Sequence, residues 1–249
     1  MLPSLSPLAV FNRATLILAR NGWKIVMAAL IFGALPSLGL QYLTMKPSLF
    51  AGLDPYAAYV LHYWVIGIAV FATAAFGNTV AKLVVLDDLD GVRRPYGALL
   101  ADGLGRYMRA CWLIIPVAVL NYWLTYGPGL LASLFLYCPL IFFLCHYSIA
   151  RHSLRDSWRA SFRLFRRHGL ALAVNAVLID VVQFVAYRGY VWIRGQFAIF
   201  LTAPERLIVT SIVASTVFTA IFATWTMALY GSLRAHLDDQ ADLTATVFD

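Results

Sequence analysis

The stretch from Arg151 to Tyr190 reads RHSLRDSWRASFRLFRRHGLALAVNAVLIDVVQFVAYRGY. Its first half carries six arginines. Its second half, Leu170–Tyr190, is mostly apolar over about 20 residues, the length that an α-helix needs to cross a bilayer. A basic segment that leads directly into an apolar crossing is typical of an integral membrane protein, whose cytoplasmic loops are rich in arginine and lysine.

The composition of the whole chain agrees with this assignment. Of 249 residues, 61% are hydrophobic and 12% are charged, whereas soluble proteins carry about 25% charged residues. That leaves too little polar surface to cover a water-soluble globule of this size. The net charge of +7 belongs to segments that flank apolar stretches, so we expect contact with anionic lipid headgroups and no nucleic-acid partner.

Six apolar stretches of sufficient length predict an all-α, polytopic bundle with six transmembrane helices. Fifteen of the nineteen Lys and Arg residues fall on one side of this arrangement. The bias predicts a multi-pass protein of the bacterial inner (cytoplasmic) membrane with its N- and C-termini in the cytoplasm. The predicted crossings are Trp23–Leu43, Ala57–Leu83, Met108–Leu124, Leu130–Ala150, Leu170–Tyr190 and Leu207–Leu233.

The basic segment before the fifth crossing has the pattern of a helix that lies in the headgroup plane. Its apolar residues recur at helical spacing, and arginines follow the same rhythm one position later. The arginine side chains then border the apolar face and reach toward lipid phosphates. We name Leu154, Trp158, Phe162 and Phe165 the apolar stripe, and Arg155, Arg159, Arg163, Arg166 and Arg167 the arginine row.

Two other cytoplasmic segments resemble this one and favour a threefold internal repeat. The segment Tyr96–Tyr107 has the same apolar spacing, Phe11–Leu18 is a weaker version, and each leads into a crossing. The alternative is that every cytoplasmic junction recruits arginine and aromatic residues without any repeat. The units are about 5–88, 93–153 and 154–237 within a single integral membrane domain, 1–237, and a short acidic cytoplasmic tail, 238–249, follows.

Asp180 lies at the middle of the fifth predicted crossing, and Gln183 shares its helix face three residues later. A carboxylate at mid-bilayer costs about 2.5–3.5 kcal/mol on insertion scales, so such residues usually face the bundle interior. Two interpretations stay open. The pair is either a proton-linked, cation-linked or ligand site, or a structural hydrogen-bonding pair between helices.

The sequence contains no nucleophile elbow, P-loop, glycine-rich dinucleotide turn or HExxH helix. Its cysteines and histidines do not have the spacing of a metal site. We therefore expect no catalytic residues, no cofactor and no metal, and we interpret the chain as a protein that is not an enzyme.

Residues 139–170 carry a resemblance to a known family. Pro139 stands inside the fourth crossing, which ends in SIAR at 148–151, and SWRASFRL follows at 157–164. With these features the chain resembles a bacterial six-span membrane-domain family whose members occur alone or fused to glycerophosphodiester phosphodiesterases. It departs from that family at Leu140, where glycine is common, and it lacks an acidic residue before the amphipathic helix. The resemblance implies a non-catalytic membrane module with a role in envelope or lipid physiology.

The main functional hypothesis is a non-catalytic inner-membrane protein that acts through lipid or protein contacts, with the arginine row docked to anionic headgroups on the cytoplasmic face. The first alternative is a small transporter or permease component that uses Asp180. The second is an accessory subunit of a larger complex with a membrane-protein partner, for which the acidic tail is suited.

Overall fold

All regular structure in the described part of the chain is helical. The computed structural model describes residues 4–44, 51–113, 116, 140, 142–196 and 203–248. The expected all-α class is confirmed for these ranges. The α-helices are α1 (Pro7–Ala29), α2 (Leu35–Thr44), α3 (Pro55–Tyr59), α4 (Gly67–Leu89), α5 (Tyr96–Ala110), α6 (Leu154–Gln196) and α7 (Ala203–Phe248), with π-helical turns at Leu30–Ala34, Val60–Ile66 and Cys145–Ile149.

Among the residues that the structure describes, three helical stretches are long and apolar enough to cross a membrane: Pro7–Leu40, Ile68–Leu89 and Ile212–Leu237. They correspond to the first, second and sixth predicted crossings. Most of the third and fourth predicted crossings lies outside the described residues. The fifth lies within α6, where only some side chains are described.

The helices α1, α4 and α7 pack against one another around a common core. Val10 and Ile17 of α1, Leu83 of α4 and Met227 of α7 are each at most 3% exposed. Helices of this length and apolar character can cross a membrane, where lipid chains are as apolar as these side chains and burial alone provides little driving force. In that setting close packing and interhelical hydrogen bonds hold helices together.

Gly33 and Gly77 provide such a close contact. A Cβ on Gly77 would lie 2.6 Å from the backbone nitrogen of Gly33, so the two backbones touch and a larger residue has no room. One helical turn away, Ser37 Oγ and Thr73 Oγ1 share a hydrogen bond of 2.9 Å. Small residues and paired hydroxyl groups are the usual means by which helices associate in lipid.

The predicted junction between the arginine row and the fifth crossing coincides with a break in α6. His168 has φ −122° and ψ 20°, outside the helical range. The corresponding segment α5 ends at Ala110 and passes into a 3₁₀ turn, Cys111–Leu113. At both places the basic segment and the residues that follow it are separated by a change in backbone geometry.

The N-terminal junction is different, because α1 runs without interruption through the place where the sequence predicts an interfacial helix to end. Ile17 and Ile25 both lie in the core, on either side of that place. Asn21 between them donates a hydrogen bond of 2.7 Å to Asp88 at the end of α4. The helix is therefore anchored on both sides of Gly22, and the first basic segment belongs to the bundle.

Candidate functional site: an arginine cleft at the charged end

Polar contacts gather at one end of the bundle, which we name the charged end. Arg13 of α1 donates a hydrogen bond of 2.7 Å to Ser232 of α7. Arg234 of α7 pairs with Asp90, just beyond α4, at 3.0 Å. The start of α1, the end of α4 and this part of α7 therefore meet here, and they bring together basic segments that the sequence assigns to the same side.

Asp102 of α5 binds three arginines at this end. Its carboxylate accepts hydrogen bonds of 2.7 Å each from Arg94 Nη1, Arg106 Nη2 and Arg151 Nη2. Arg94 also holds Asp87 of α4, with its Nε 3.0 and 2.9 Å from the two carboxylate oxygens. We name these five residues the Asp102 cluster. It joins α4, the connection to α5, α5 itself and the turn before α6.

The charge state of the cluster follows from these contacts. Burial of Asp102 disfavours its charged form, but hydrogen bonds from Arg106 and Arg94, with the charges of Arg106 and Arg151, outweigh burial and lower its pKa to about 2. The hydrogen bond to Asp87 raises the pKa of Arg94 above its ordinary value, against the opposing effect of burial. Asp102 and Arg94 therefore stay ionised at every physiological pH.

The turn before α6 is held in a strained backbone conformation. Arg151 has φ 62°, in the left-handed region that costs a residue with a Cβ roughly 1–2 kcal/mol. Arg109 donates hydrogen bonds to the carbonyl oxygens of Arg151 at 2.9 Å and His152 at 2.7 Å. The Arg109 guanidinium also lies 4.8 Å from the centre of the Tyr147 ring. Together with the pair between Arg151 and Asp102, these contacts fix where α6 begins.

The helix α6 starts with a side-chain cap and buries a narrow face. Ser153 Oγ accepts a hydrogen bond of 3.1 Å from the backbone N–H of Asp156, which satisfies a donor that the first helical turn leaves free. Ser157, Ser161 and Leu164 follow at helical spacing and are at most 2% exposed. The part of α6 before His168 therefore packs onto the protein through small residues, Leu164 and the partly buried Phe165.

The arginine row and most of the apolar stripe of α6 are exposed, whereas Phe165 of the stripe is partly buried against the core. Trp158 is 54% exposed and Phe162 is 50% exposed, and all five arginines of the row are exposed. No arginine of the row pairs with a carboxylate of the residues that the structure describes. Exposed aromatic side chains beside unpaired arginines are typical of a helix at a bilayer surface.

An open cleft of about 710 Å³ lies beside the row, between α6, α7 and the end of α4. We name it the arginine cleft. Its wall contains two members of the row and also the paired arginines of α5 and α7. The charged residues of the wall are Arg106, Arg159, Arg163, Arg234, Asp90 and Asp156.

Partners within the protein decide which of these arginines can bind a ligand. Arg106 is held by Asp102, and Arg234 by Asp90. Asp156 accepts a hydrogen bond from Ser153 Oγ at the start of the helix. Arg159 and Arg163 thus bring two unpaired guanidinium groups into a cleft that is large enough for a phosphate group.

A second open cavity of about 880 Å³, the arginine groove, lies on the next part of α6. Its lining contains Phe162 and Phe165 of the apolar stripe together with Arg163, Arg166 and Arg167. No carboxylate belongs to the lining that the structure describes. Arg163 lines both the cleft and the groove, so the two cavities adjoin along one helix.

Two histidines form part of the cleft wall, and the sequence gives little indication of them. The rings of His146 and His152 stack with centroids 3.8 Å apart, and His146 Nδ1 lies 3.2 Å from the Tyr230 hydroxyl. From sequence, His146 reads as an isolated histidine at the end of a crossing. A separation of six residues matches no helical repeat, and only the turn at Ala150 brings the two rings together.

The other predicted site residues stay predictions. Asp180 and Gln183 lie in the helical backbone of α6, but their side chains are outside the described part of the structure. The acidic tail continues the helix α7 as far as Phe248, and its side chains are likewise not described. Within the described ranges, no group of three His, Cys, Asp or Glu side chains is arranged to hold a metal ion.

Comparison with protein-family models, with curated protein sequences and with solved structures finds no significant match to this chain.

Proposed function

We propose that this protein is a non-catalytic protein of the bacterial inner membrane that binds anionic phospholipid headgroups on the cytoplasmic face. One observation carries the proposal: Arg159 and Arg163 reach an open cleft without a carboxylate partner, on a helix whose neighbouring face exposes Trp158 and Phe162. A headgroup phosphate in the cleft accepts hydrogen bonds from the guanidinium groups. The aromatic side chains contact the acyl chains of the same lipid.

The positive charge of the row makes a substantial contribution to the free energy of the proposed binding. An arginine near an anionic membrane surface contributes about 1 kcal/mol. The row supplies five arginines against the one carboxylate of the same segment, Asp156. Such a segment prefers anionic over zwitterionic lipid, and the preference weakens as salt concentration rises.

The segment with the row is also the one that resembles the six-span membrane-domain family, and we infer membership of that family from it. The motif SWRASFRL at 157–164 supplies the buried Ser157 and Ser161 and the unpaired Arg159 and Arg163. On this inference the family motif has two functions: its serines pack the helix onto the bundle, and its arginines bind lipid phosphate.

A comparison of lipids tests the proposal on the full-length protein. The wild type and a variant with all five arginines of the row changed to Gln are purified in a neutral detergent, and Tm is measured as phosphatidylglycerol or phosphatidylcholine is added. We expect phosphatidylglycerol to raise the Tm of the wild type and to have little effect on the variant. A matched control, Arg20→Gln with Arg93→Gln, changes exposed arginines outside the row and should respond like the wild type.

Two results would contradict the proposal. Equal stabilisation of the wild type by both lipids would mean that the headgroup charge is not recognised. Equal stabilisation of the wild type and the five-arginine variant by phosphatidylglycerol would mean that the lipid binds elsewhere on the protein.

A further inference from the structure

The arginine cleft and the arginine groove adjoin at a single residue, which allows one ligand to occupy both. Arg163 lines the two cavities, with Arg159 on the cleft side and Arg167 on the groove side. These three arginines are four residues apart, so successive Cβ atoms on the helix surface are about 5–6 Å from each other. The helix thus presents two neighbouring positions for anions that share the central guanidinium.

Each position has enough unpaired charge for one phosphate. In the cleft, Arg159 and Arg163 face Asp156, whose carboxylate is engaged by Ser153. The remaining charged residues of the cleft wall pair with one another or with Asp102. In the groove, three arginines of the row have no carboxylate in the described lining. Two or three guanidinium donors are a common environment for a phosphate group.

The apolar surroundings indicate that the anions belong to a lipid. Phe162 and Phe165 line the groove itself, and Trp158 is exposed on the same helix. A soluble phosphate has no apolar part that could pack against these aromatic rings. A phospholipid places acyl chains directly beneath its phosphates, where they bury this aromatic surface.

We propose that α6 binds a phospholipid with two phosphodiester groups, of the cardiolipin class, with one phosphate in the cleft and the other in the groove. The inference rests on the proposed function and specifies its ligand. In this class a three-carbon glycerol joins the phosphates, so their separation is similar to the spacing of successive arginines on the helix. A single-phosphate lipid fills only one position. Two such lipids are needed to fill both, and each loses entropy when it is ordered on the protein.

The test compares cardiolipin with phosphatidylglycerol at equal phosphate concentration. The full-length protein in neutral detergent is titrated with each lipid, and the apparent Kd is obtained from Tm or from native mass spectrometry. We expect cardiolipin to bind about tenfold more tightly per phosphate, because linking the two phosphates makes binding of the second one intramolecular. Inorganic pyrophosphate, a soluble diphosphate, should leave Tm unchanged.

Single substitutions locate the two positions. Arg163→Gln removes the shared residue and should lower the affinity for cardiolipin to that for phosphatidylglycerol. Arg159→Gln and Arg167→Gln each weaken one position and should reduce the preference in part. Arg93→Gln is the matched control, because Arg93 is an exposed arginine outside the row and lines neither cavity.

Each outcome has a separate meaning. If phosphatidylglycerol binds as tightly as cardiolipin per phosphate, the diphosphate inference fails while the proposed function stands. If neither anionic lipid binds, both fail. If pyrophosphate stabilises the protein as much as cardiolipin does, the ligand is a soluble phosphate compound and the lipid assignment is wrong.

Discussion

The charged end contains two groups of arginines that have different surroundings and different consequences. Arg94 and Arg106 of the Asp102 cluster have side chains that are 28% and 12% exposed, and both are bound to carboxylates. The arginine row is exposed and unpaired within the described residues. Paired, half-buried arginines hold helices together because separating the charges is costly. Exposed ones add little stability and keep their donors free for an external anion.

The largest effect should come from removing the carboxylate that three arginines share. Asp102→Asn leaves Arg106 and Arg151 without a carboxylate partner, while Arg94 keeps Asp87. We expect the free energy of unfolding to fall by about 3 kcal/mol, the lower end of the range for a broken buried pair. Denaturant titration in neutral detergent measures it. The matched control Asp156→Asn changes an exposed carboxylate at the start of α6 and should cost less than about 1 kcal/mol. Similar losses in both variants would contradict the central position of Asp102.

Acidification should reproduce part of the loss of stability that we expect for Asp102→Asn. The pKa of Asp102 is lowered from 3.8 to about 2 in the folded protein, so its stabilisation is complete above pH 3.8 and disappears as the pH falls toward 2. A shift of that size is equivalent to about 2 kcal/mol. Between pH 5 and pH 2 the free energy of unfolding of the wild type should fall by this amount. The free energy of unfolding of Asp102→Asn should lack this decrease. A steep loss already between pH 7 and pH 5 would have to come from other groups.

The strained turn before α6 should be the next most sensitive feature. Arg109→Gln removes the hydrogen bonds to the carbonyl oxygens of Arg151 and His152, and charged hydrogen bonds of this kind contribute about 1.5 kcal/mol or more. Hydrogen exchange of the backbone from Ala150 to Asp156 should become faster, together with a lower Tm. The exposed Arg93 provides a control, because Arg93→Gln should leave both quantities unchanged. Unchanged exchange in Arg109→Gln would show that the turn does not depend on Arg109.

The smallest effect on stability should come from the arginine row. Each substitution of a row arginine by Gln in neutral detergent should change the free energy of unfolding by less than about 0.5 kcal/mol, as for other exposed residues without partners. The comparison is sharpest when the same protein samples are then titrated with anionic lipid, where the row variants should differ most. If the row variants unfold as easily as Asp102→Asn in neutral detergent, the row is structural and the contrast between the two groups is wrong.

The sequence predicts best what depends on neighbouring residues. The helical periodicity of α6 and the place where its basic segment gives way to an apolar one, close to His168, both follow from residues within a few turns of one another. The apolar character of the first, second and sixth predicted crossings is equally local, and the described part of the structure contains three helices long and apolar enough to cross a membrane. The predicted junction in α1 shows the limit, because packing on both sides of Gly22 keeps that helix continuous.

The Asp102 cluster could not be predicted in this way. Arg106 is one helical turn from Asp102, but Arg151 is 49 residues away, and no pattern in the sequence links them. The sequence also does not predict which face of α6 is buried, and the reason is different. In this part of α6 the aromatic Trp158 and Phe162 are exposed while Ser157 and Ser161 are buried, so hydrophobicity alone does not indicate which side contacts the rest of the protein.

Because of the break at His168, the two parts of α6 can differ in their rotation about the helix axis. In an uninterrupted α-helix each residue turns the chain by 100°, so one rotation would have to orient both the arginine row and the contacts of Leu172 and Ile179 with the core. The interruption removes that constraint. Each part can take its own azimuth about the helix axis, set in the first part by the packing of Ser157, Ser161 and Leu164 and in the second by that of Leu172 and Ile179.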